Sequence, residues 1–288
     1  MVARLRGRLA PYLLVLPAGL WLLLFFVVPM VAMLSLSLQE GDVVNGYTLT
    51  FRWETYVEGI SNYQRQIIRS LWYGLFTTVA LIVIAFPIAY YIAFRAGRNK
   101  STYLLIILLP FFVSFVLRTV AWRFLLTDES FLLSALKDWG LVSEQFRVLG
   151  TPFAVIAGLV YNFLPFMVLP IYVALERIDS RVMEAARDLY ANPVQVFLRV
   201  VFPLALPGVF AGVLMTFVPA SSDYVNSELL GSTQTTMIGQ VIQHQYLSLQ
   251  NYPAASALSF SLMAILLVGI FVYARLLGTE DVLKVAAR

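Results

Sequence analysis

Few residues in this sequence can do chemistry, and they narrow what that chemistry is. There is one histidine, His244, and no cysteine, so a thiolate nucleophile, a disulfide and a cysteine-built metal site are all excluded. No HExxH pattern accompanies the histidine, so no metal site is expected, and His244 reads as a solvated or interface residue. The nearest approach to a phosphate loop is AGRNKST at 96–102. It lacks the Gly-x₄-Gly-Lys-[Ser/Thr] spacing whose amides cradle phosphate, and it reads as a basic turn. No catalytic residue, bound cofactor or nucleotide site is expected on this chain.

What remains is charge in places where charge is costly. Asp223 and Glu228 follow Pro219 in a stretch free of Lys and Arg, with Tyr224 beside them. Carboxylates beside an aromatic face can meet a cationic group. Tyr161 and Asn162, just before Pro165, and Trp122 are candidates to line the same path, as is Arg118. The plainer readings are packing or an interface belt for the aromatics, snorkelling for Arg118 and Arg123, and an exposed loop for Asp223.

The elements that must position these residues are membrane helices. The 288 residues are 60% hydrophobic and 12% charged, against roughly 45–50% and 25% in soluble domains; mean hydropathy is +0.81. Six apolar stretches of spanning length fall at about 12–36, 71–94, 102–125, 153–174, 201–220 and 254–277. The first, behind Arg4, Arg6 and Arg8, is too long for a signal peptide and has no cleavage site where one is needed. Basic residues divide thirteen to five between the two sides. The richer side holds Arg4, Arg6, Arg8, Arg95, Arg98, Lys100, Arg177, Arg181, Arg187, Arg199, Arg275, Lys284 and Arg288. The poorer holds Arg52, Arg65, Arg69, Lys137 and Arg147. Positive charge stays inside, which places both termini in the cytoplasm. The net charge of +4 is thus a topology signal, and no patch interleaved with aromatics points to nucleic acid. FRWETYVEGI (51–60) and ESFLLSALKDWGLV (129–142) predict short helices on the outer face. The expected class is an all-α membrane protein with six spans. Its expected divisions are a cytoplasmic N-terminus 1–11, a spanning domain 12–277 and a tail 278–288.

One inner stretch is unlike its surroundings. Residues 179–201 are polar and helix-prone. Asp179 and Ser180 can cap a helix, with Glu184 in its first turn and an apolar stripe of Val182, Ala185, Ala186 and Leu189. Asn192-Pro193 restarts a helix with a second stripe of Val194, Phe197, Leu198 and Val201, and Pro203 and Pro207 bend the entry to span five. Two short amphipathic helices follow, resting either on lipid headgroups or in a groove on another protein; the small alanine face favours protein. Gly208 and Gly212 form a small-xxx-small seam for helix packing, within this chain or against another. Proline interrupts four spans, at Pro87, Pro110, Pro165 with Pro170, and Pro203 with Pro207.

Glu184-Ala185-Ala186 followed by RVVFPLALPG resembles the EAA loop of type I ABC importer permeases. The match includes Val201-Phe202-Pro203 and departs at Tyr190, where the family has glycine; Asn192 tolerates a left-handed turn, leaving room for the turn to move there. LPFFVSFVLRTVAW (109–122), LVYNFLPFMVLPIYVALERID (159–179) and DYVNSELLGSTQTTMIGQVI (223–242) are similar to permease subunits of spermidine/putrescine importers, nearest the first of that system's two permeases. The resemblance covers about 70–277. It implies a coupling helix at Glu184, Ala185, Ala186, Arg187, Asp188, Leu189 and Tyr190, supported by Pro203, within a coupling loop 175–200. The implied partners are two ATPase subunits carrying ATP and Mg, a second homologous permease and an extracytoplasmic binding protein, at a bacterial inner membrane. Opine, phosphonate, thiamine and iron permeases share the pattern, so the cargo stays open. A secondary carrier, with buried mid-bilayer carboxylates, and a channel are the other classes.

Overall fold

The computed structural model describes residues 15–276. The N-terminal Arg4, Arg6 and Arg8, residues 12–14 of the first expected span, and the tail with Lys284 and Arg288 lie outside them. The helices are α1 Val15–Ser37, α2 Glu54–Phe94, α3 Lys100–Leu108, α4 Phe115–Leu126, α5 Phe131–Asp138, α6 Pro152–Glu176, α7 Ser180–Asp188, α8 Pro193–Ser221, α9 Val225–Leu230, α10 Ile238–Gln243 and α11 Tyr252–Leu276. A two-stranded antiparallel hairpin, β1 Gln39–Asp42 and β2 Gly46–Leu49, joins α1 to α2. Among the described residues five helices are long and apolar enough to cross a membrane, or six if one bent pair counts as a single span.

The chain divides into two units. The first comprises residues 1–62 and 242–263. Within it the Ser37 hydroxyl and Tyr56 hydroxyl hydrogen-bond at 2.6 Å, and the Tyr47 hydroxyl donates to the Gln250 carbonyl at 3.2 Å. Tyr252 stands between Tyr47 and Tyr246, with ring centroids 5.9 and 4.9 Å away. His244 opens a π-helical turn, His244–Ser248, and is exposed. α1 buries none of its apolar window in this chain, as suits a helix whose solvent is lipid.

The second unit comprises residues 63–241 and 264–288. α6 and α8 pack along each other through the glycine seam. A Cβ on Gly208 would meet the Pro170 carbonyl oxygen at 2.5 Å and the Ala174 Cβ at 2.6 Å, and one on Gly212 the Met167 sulfur at 2.5 Å. Lipid tails are as apolar as leucine, so close backbone approach rather than water exclusion holds such a pair. The seam therefore closes within this chain, not against a second one. Leu81, Ile92, Leu159, Met167, Ile171 and Leu175 fill the core around it.

The expectations about the helices fare unequally. The short helix expected at 51–60 does form, from Glu54: the stretch Glu54–Phe94 is two helices joined across a kink at Tyr63 (φ −113°, ψ 19°). The third span is interrupted at Pro110, as expected. It breaks by 91° between Gly97–Phe112 and Phe115–Leu126, because Pro110 opens a tight 3₁₀ turn and Val113 and Ser114 are extended (ψ 141° and 136°). Elsewhere prolines leave the helices continuous: Pro87, Pro165, Pro170 and Pro207 all lie inside one. A π-helical turn at Phe197–Val201 widens the backbone just before Pro203, which lacks an N–H and would crowd the carbonyl four residues earlier. The second helix of the polar stretch is thus the first turn of span five itself. The outer helix expected at 129–142 does form, as α5.

Candidate functional site

At one end of the second unit lies α7. Asp179 takes the N-cap geometry (φ −64°, ψ 126°) and its Oδ1 accepts from the Arg181 amide at 2.9 Å. The helix starts at Ser180, so Glu184 falls beyond the first turn. Its far end closes with the Ala191 amide donating to the Ala186 carbonyl at 3.1 Å and the Tyr190 amide to Arg187 at 2.9 Å. This is the Schellman pattern, which needs a left-handed residue just past the helix and normally uses glycine. Here Tyr190 supplies it, at φ +60°. The turn has not moved to Asn192, which is committed elsewhere. In extended geometry (φ −70°, ψ 163°) it caps α8, its Oδ1 accepting from the Gln195 amide at 2.8 Å while Gln195 Oε1 accepts from the Asn192 amide at 3.0 Å. That reciprocal pair is a capping box.

The faces of this hinge also differ from the expected stripes. Met183 is the buried anchor of α7, and Ala186 is half-buried against the same core. Val182, Ala185, Leu189 and Tyr190 face outward, Leu189 82% and Tyr190 98% exposed, among exposed Glu184, Arg187 and Asp188. In the second stripe Val201 is buried and Phe197 half-buried whereas Val194 and Leu198 are exposed, and Val196, outside the stripe, is buried; the π turn at Phe197–Val201 resets the helical phase. Pro203 is exposed as well. Lys100 and Glu176 pair at 3.3 Å, so the 95–100 turn and the end of α6 lie on this same side.

A second cluster joins α4, α6 and α9. Asn162 Nδ2 donates to Thr119 Oγ1 at 3.1 Å and to Asn226 Oδ1 at 3.2 Å. Asn226 in turn donates to Asp223 Oδ1 from its backbone amide at 2.7 Å and its side chain at 3.2 Å. All four are buried. Asp223 is therefore no exposed loop residue. Burial pushes its carboxyl up to about 6, against the pull of the Asn226 hydrogen bonds. The segment around it is pinned: the Gly150 amide donates to the Leu230 carbonyl at 2.9 Å, the Ile238 amide to the Ser70 hydroxyl at 2.8 Å, and Arg69 Nη1 to the Thr236 carbonyl at 2.9 Å.

Of the other path candidates, Trp122 and Tyr161 form a T-shaped pair at 5.5 Å. Arg118 does not snorkel: it is 6% exposed, over the rings of Phe111 and Phe115. Tyr224 and Glu228 are exposed and join neither group. The sequence reading missed Thr119 and Asn226. The available signal was Asn226 three residues beyond Asp223, where a short polar side chain accepts from the amide three on. Among the described residues no group of His, Asp and Glu is arranged to hold a metal ion.

An outward hinge at one end and a buried polar cluster among the helices suit a transport protein better than an enzyme. The profile of the binding-protein-dependent transport system inner membrane component matches residues 69–278. The chain belongs to this family. It is accordingly a multi-pass inner-membrane permease component, not an enzyme. This permease is similar to the spermidine/putrescine transport system permease protein PotB of Haemophilus influenzae, with 35% identity over 88% of this chain and 90% of that one. It is also similar to PotB of Escherichia coli K12, with 32% identity over 88% and 93%. Its fold matches a solved bacterial alginate ABC transporter in complex with an alginate pentasaccharide-bound periplasmic protein, at a TM-score of 0.67 and 18% identity over 96% of this chain and 98% of that one. The permeases of such importers work with an ATPase and a substrate-binding protein.

Proposed function

We propose that this chain is a permease subunit of an ATP-driven, binding-protein-dependent importer of spermidine and putrescine. The observation that carries the reading is the 35% identity, over nine-tenths of its length, to a permease that bears those solutes in its name. Physical features of the second unit support it. The charged, alanine-faced helix α7, with Leu189 and Tyr190 projecting, suits insertion into a cleft of an ATPase subunit. Glu184, Ala185, Arg187, Asp188, Leu189 and Tyr190 would make that contact, while Ala186 and Pro203 hold the helix from behind. The distribution of Lys and Arg supports cytoplasmic termini and a cytoplasmic coupling loop at 175–200. Two ATPases, a second homologous permease and an external binding protein complete the machine in this reading.

Closure of the ATPases on ATP moves the coupling helices, and the helix pairs rock to open the path outward; hydrolysis resets it. The driving force is the ATPases' different affinity for the two permease states. Along the path, Asp223 is the carboxylate that meets an ammonium group, with Asn162 and the Trp122–Tyr161 pair beside it and Tyr224 and Glu228 at its exposed approach.

Uptake of radiolabelled spermidine by cells lacking this chain tests the reading, with putrescine as competitor. Restoring the wild type rescues uptake, and restoring Glu184→Arg does not, although the variant reaches the membrane. Equal uptake in deleted and restored cells, with expression confirmed, removes the polyamine. Rescue by Glu184→Arg removes the coupling role.

A further inference from the structure

Arg118 is buried without an acceptor. Among the described residues nothing accepts a hydrogen bond from its Nε or Nη1, and the whole residue is 6% exposed. Phe111 and Phe115 lie 5.9 and 5.7 Å from its guanidinium carbon. Ring faces attract a cation, but they leave the N–H edge of the fork unanswered.

The guanidinium lines a cavity of about 360 Å³, walled by Phe111, Phe115, Phe163 and Phe166 and reached also by Ser114 and Asn162. Two more features border it. α4 begins there, and the side chain of its N-cap Ser114 accepts no hydrogen bond, so the first-turn amides and the positive end of the helix dipole lack a side-chain partner. Asn162 Oδ1 is buried and unbonded as well, a spare acceptor for an N–H carried by an occupant.

We propose that this cavity, at the break in the third span, is a carboxylate-binding site with Arg118 as its principal ligand. A planar fork matches a carboxylate through two parallel N–H···O bonds. A phosphate dianion would want a second cation, and neither the aromatic walls nor Asn162 supplies one. The inference is independent of the cargo, since a guanidinium does not attract a polycation. Two sources carry the group: a small free carboxylate, or an Asp or Glu side chain of the second permease.

The experiment uses the whole transporter, both permeases with ATPase and binding protein. Thermal unfolding is followed in sodium succinate or sodium 4-aminobutyrate, against sodium chloride of equal ionic strength. Arg118→Met removes the charge at similar length, and replacing an unpaired buried ion by an apolar side chain does not by itself destabilise a fold. Arg118→Lys keeps the charge. A midpoint that rises saturably with either carboxylate in the wild type, and not in Arg118→Met, establishes the site with a free ligand. Absence of that rise, with the second permease released from Arg118→Met but retained by Arg118→Lys, establishes the site filled by the second permease. Any other pattern overturns the proposal. That includes wild-type assembly of both variants without a carboxylate-dependent shift, and loss of this chain itself from the membrane in Arg118→Met.

Discussion

The hinge at α7 and the polar cluster around Asn162 are built in opposite ways. The hinge is local: its capping bonds at Asp179, Tyr190, Ala191 and Asn192 join residues a few positions apart, and its partner-facing side chains are open. The cluster is assembled from α4, α6 and α9, across sequence separations of 43 and 64 residues, and all of its members are buried. A surface for a partner protein can be shaped by short-range geometry and left unsatisfied until the partner arrives. A polar site among helices exists only once the fold does, and it must be satisfied internally. Substitutions in the hinge should therefore change coupling at nearly constant stability, whereas substitutions in the cluster should change both together.

The largest effect is expected at the hub of the cluster. Asn226→Ala removes the side-chain hydrogen bond to the Asp223 carboxylate and the link to Asn162, and keeps the bond from the backbone amide. A bond to a charged group contributes about 1.5–3 kcal/mol and a neutral one about 1 kcal/mol, so a loss of about 3 kcal/mol is expected in thermal unfolding of the purified protein, with uptake falling alongside. Lost uptake at unchanged stability would mean that the cluster is no structural hub, and the contrast with α7 would fail.

Asp223 gives a pH-dependent version of the same test. Its carboxyl is raised from 3.8 to about 6, chiefly by burial, so the folded state binds its proton more tightly than the unfolded chain does. The stabilisation from that proton is fully present below about pH 4 and is lost as the pH rises through about 6, a swing of at most about 3 kcal/mol. Unfolding midpoints between pH 4 and 7 should show this fall in the wild type and lose it in Asp223→Asn. In uptake the sign reverses: a cation is met by the ionised form, so wild-type transport should decline below about pH 6 relative to Asp223→Asn. A wild-type profile as flat as the variant's would return Asp223 to an ordinary loop role.

The two regions were also unequally legible. The spanning helices follow from apolar run length, and the hinge from a motif within some twenty residues, down to the caps at Asp179 and Asn192. What escaped was phase. Nothing in the stripe Val182, Ala185, Ala186, Leu189 says that Met183 is the side chain turned inward, because a nine-residue helix can bury either face and the neighbour decides. The π turn at Phe197–Val201 shifted the second stripe for a local reason that a 3.6-residue period does not carry, the accommodation of Pro203. In the cluster, Asp223 and Asn162 stood out singly as polar residues near spans. Thr119 and Asn226 did not, since a threonine or asparagine at a helix end has many uses and its partner lies on another helix.

A smaller effect should separate the hinge's two caps. Asn192→Ala removes one half of the capping box, worth about 1 kcal/mol. The loss should stay local, seen as faster amide exchange at residues 194–196 with little change in the unfolding midpoint. Global unfolding on this substitution would show that the restart at Pro193 supports the bundle as well as the hinge.

Tyr190→Gly is expected to leave stability nearest to wild type and is the sharpest test of the comparison. A left-handed conformation costs a non-glycine residue about 1 kcal/mol, which glycine would relieve. Glycine also loses about 0.5–1 kcal/mol through its freer unfolded chain, so the two terms nearly cancel. The Schellman bonds of α7 use only backbone atoms and should survive. With fold and turn preserved, the only thing removed is a ring that is 98% exposed and rests on nothing in this chain. If that ring enters the ATPase cleft, polyamine-stimulated ATP hydrolysis by the reconstituted complex should fall in Tyr190→Gly and be largely retained in Tyr190→Phe. Full activity in Tyr190→Gly would mean that only the turn matters, leaving Leu189 and the flanking charges to hold the partner. A collapsed unfolding midpoint would instead show that the hinge is not as independent of the bundle as its local hydrogen bonds imply.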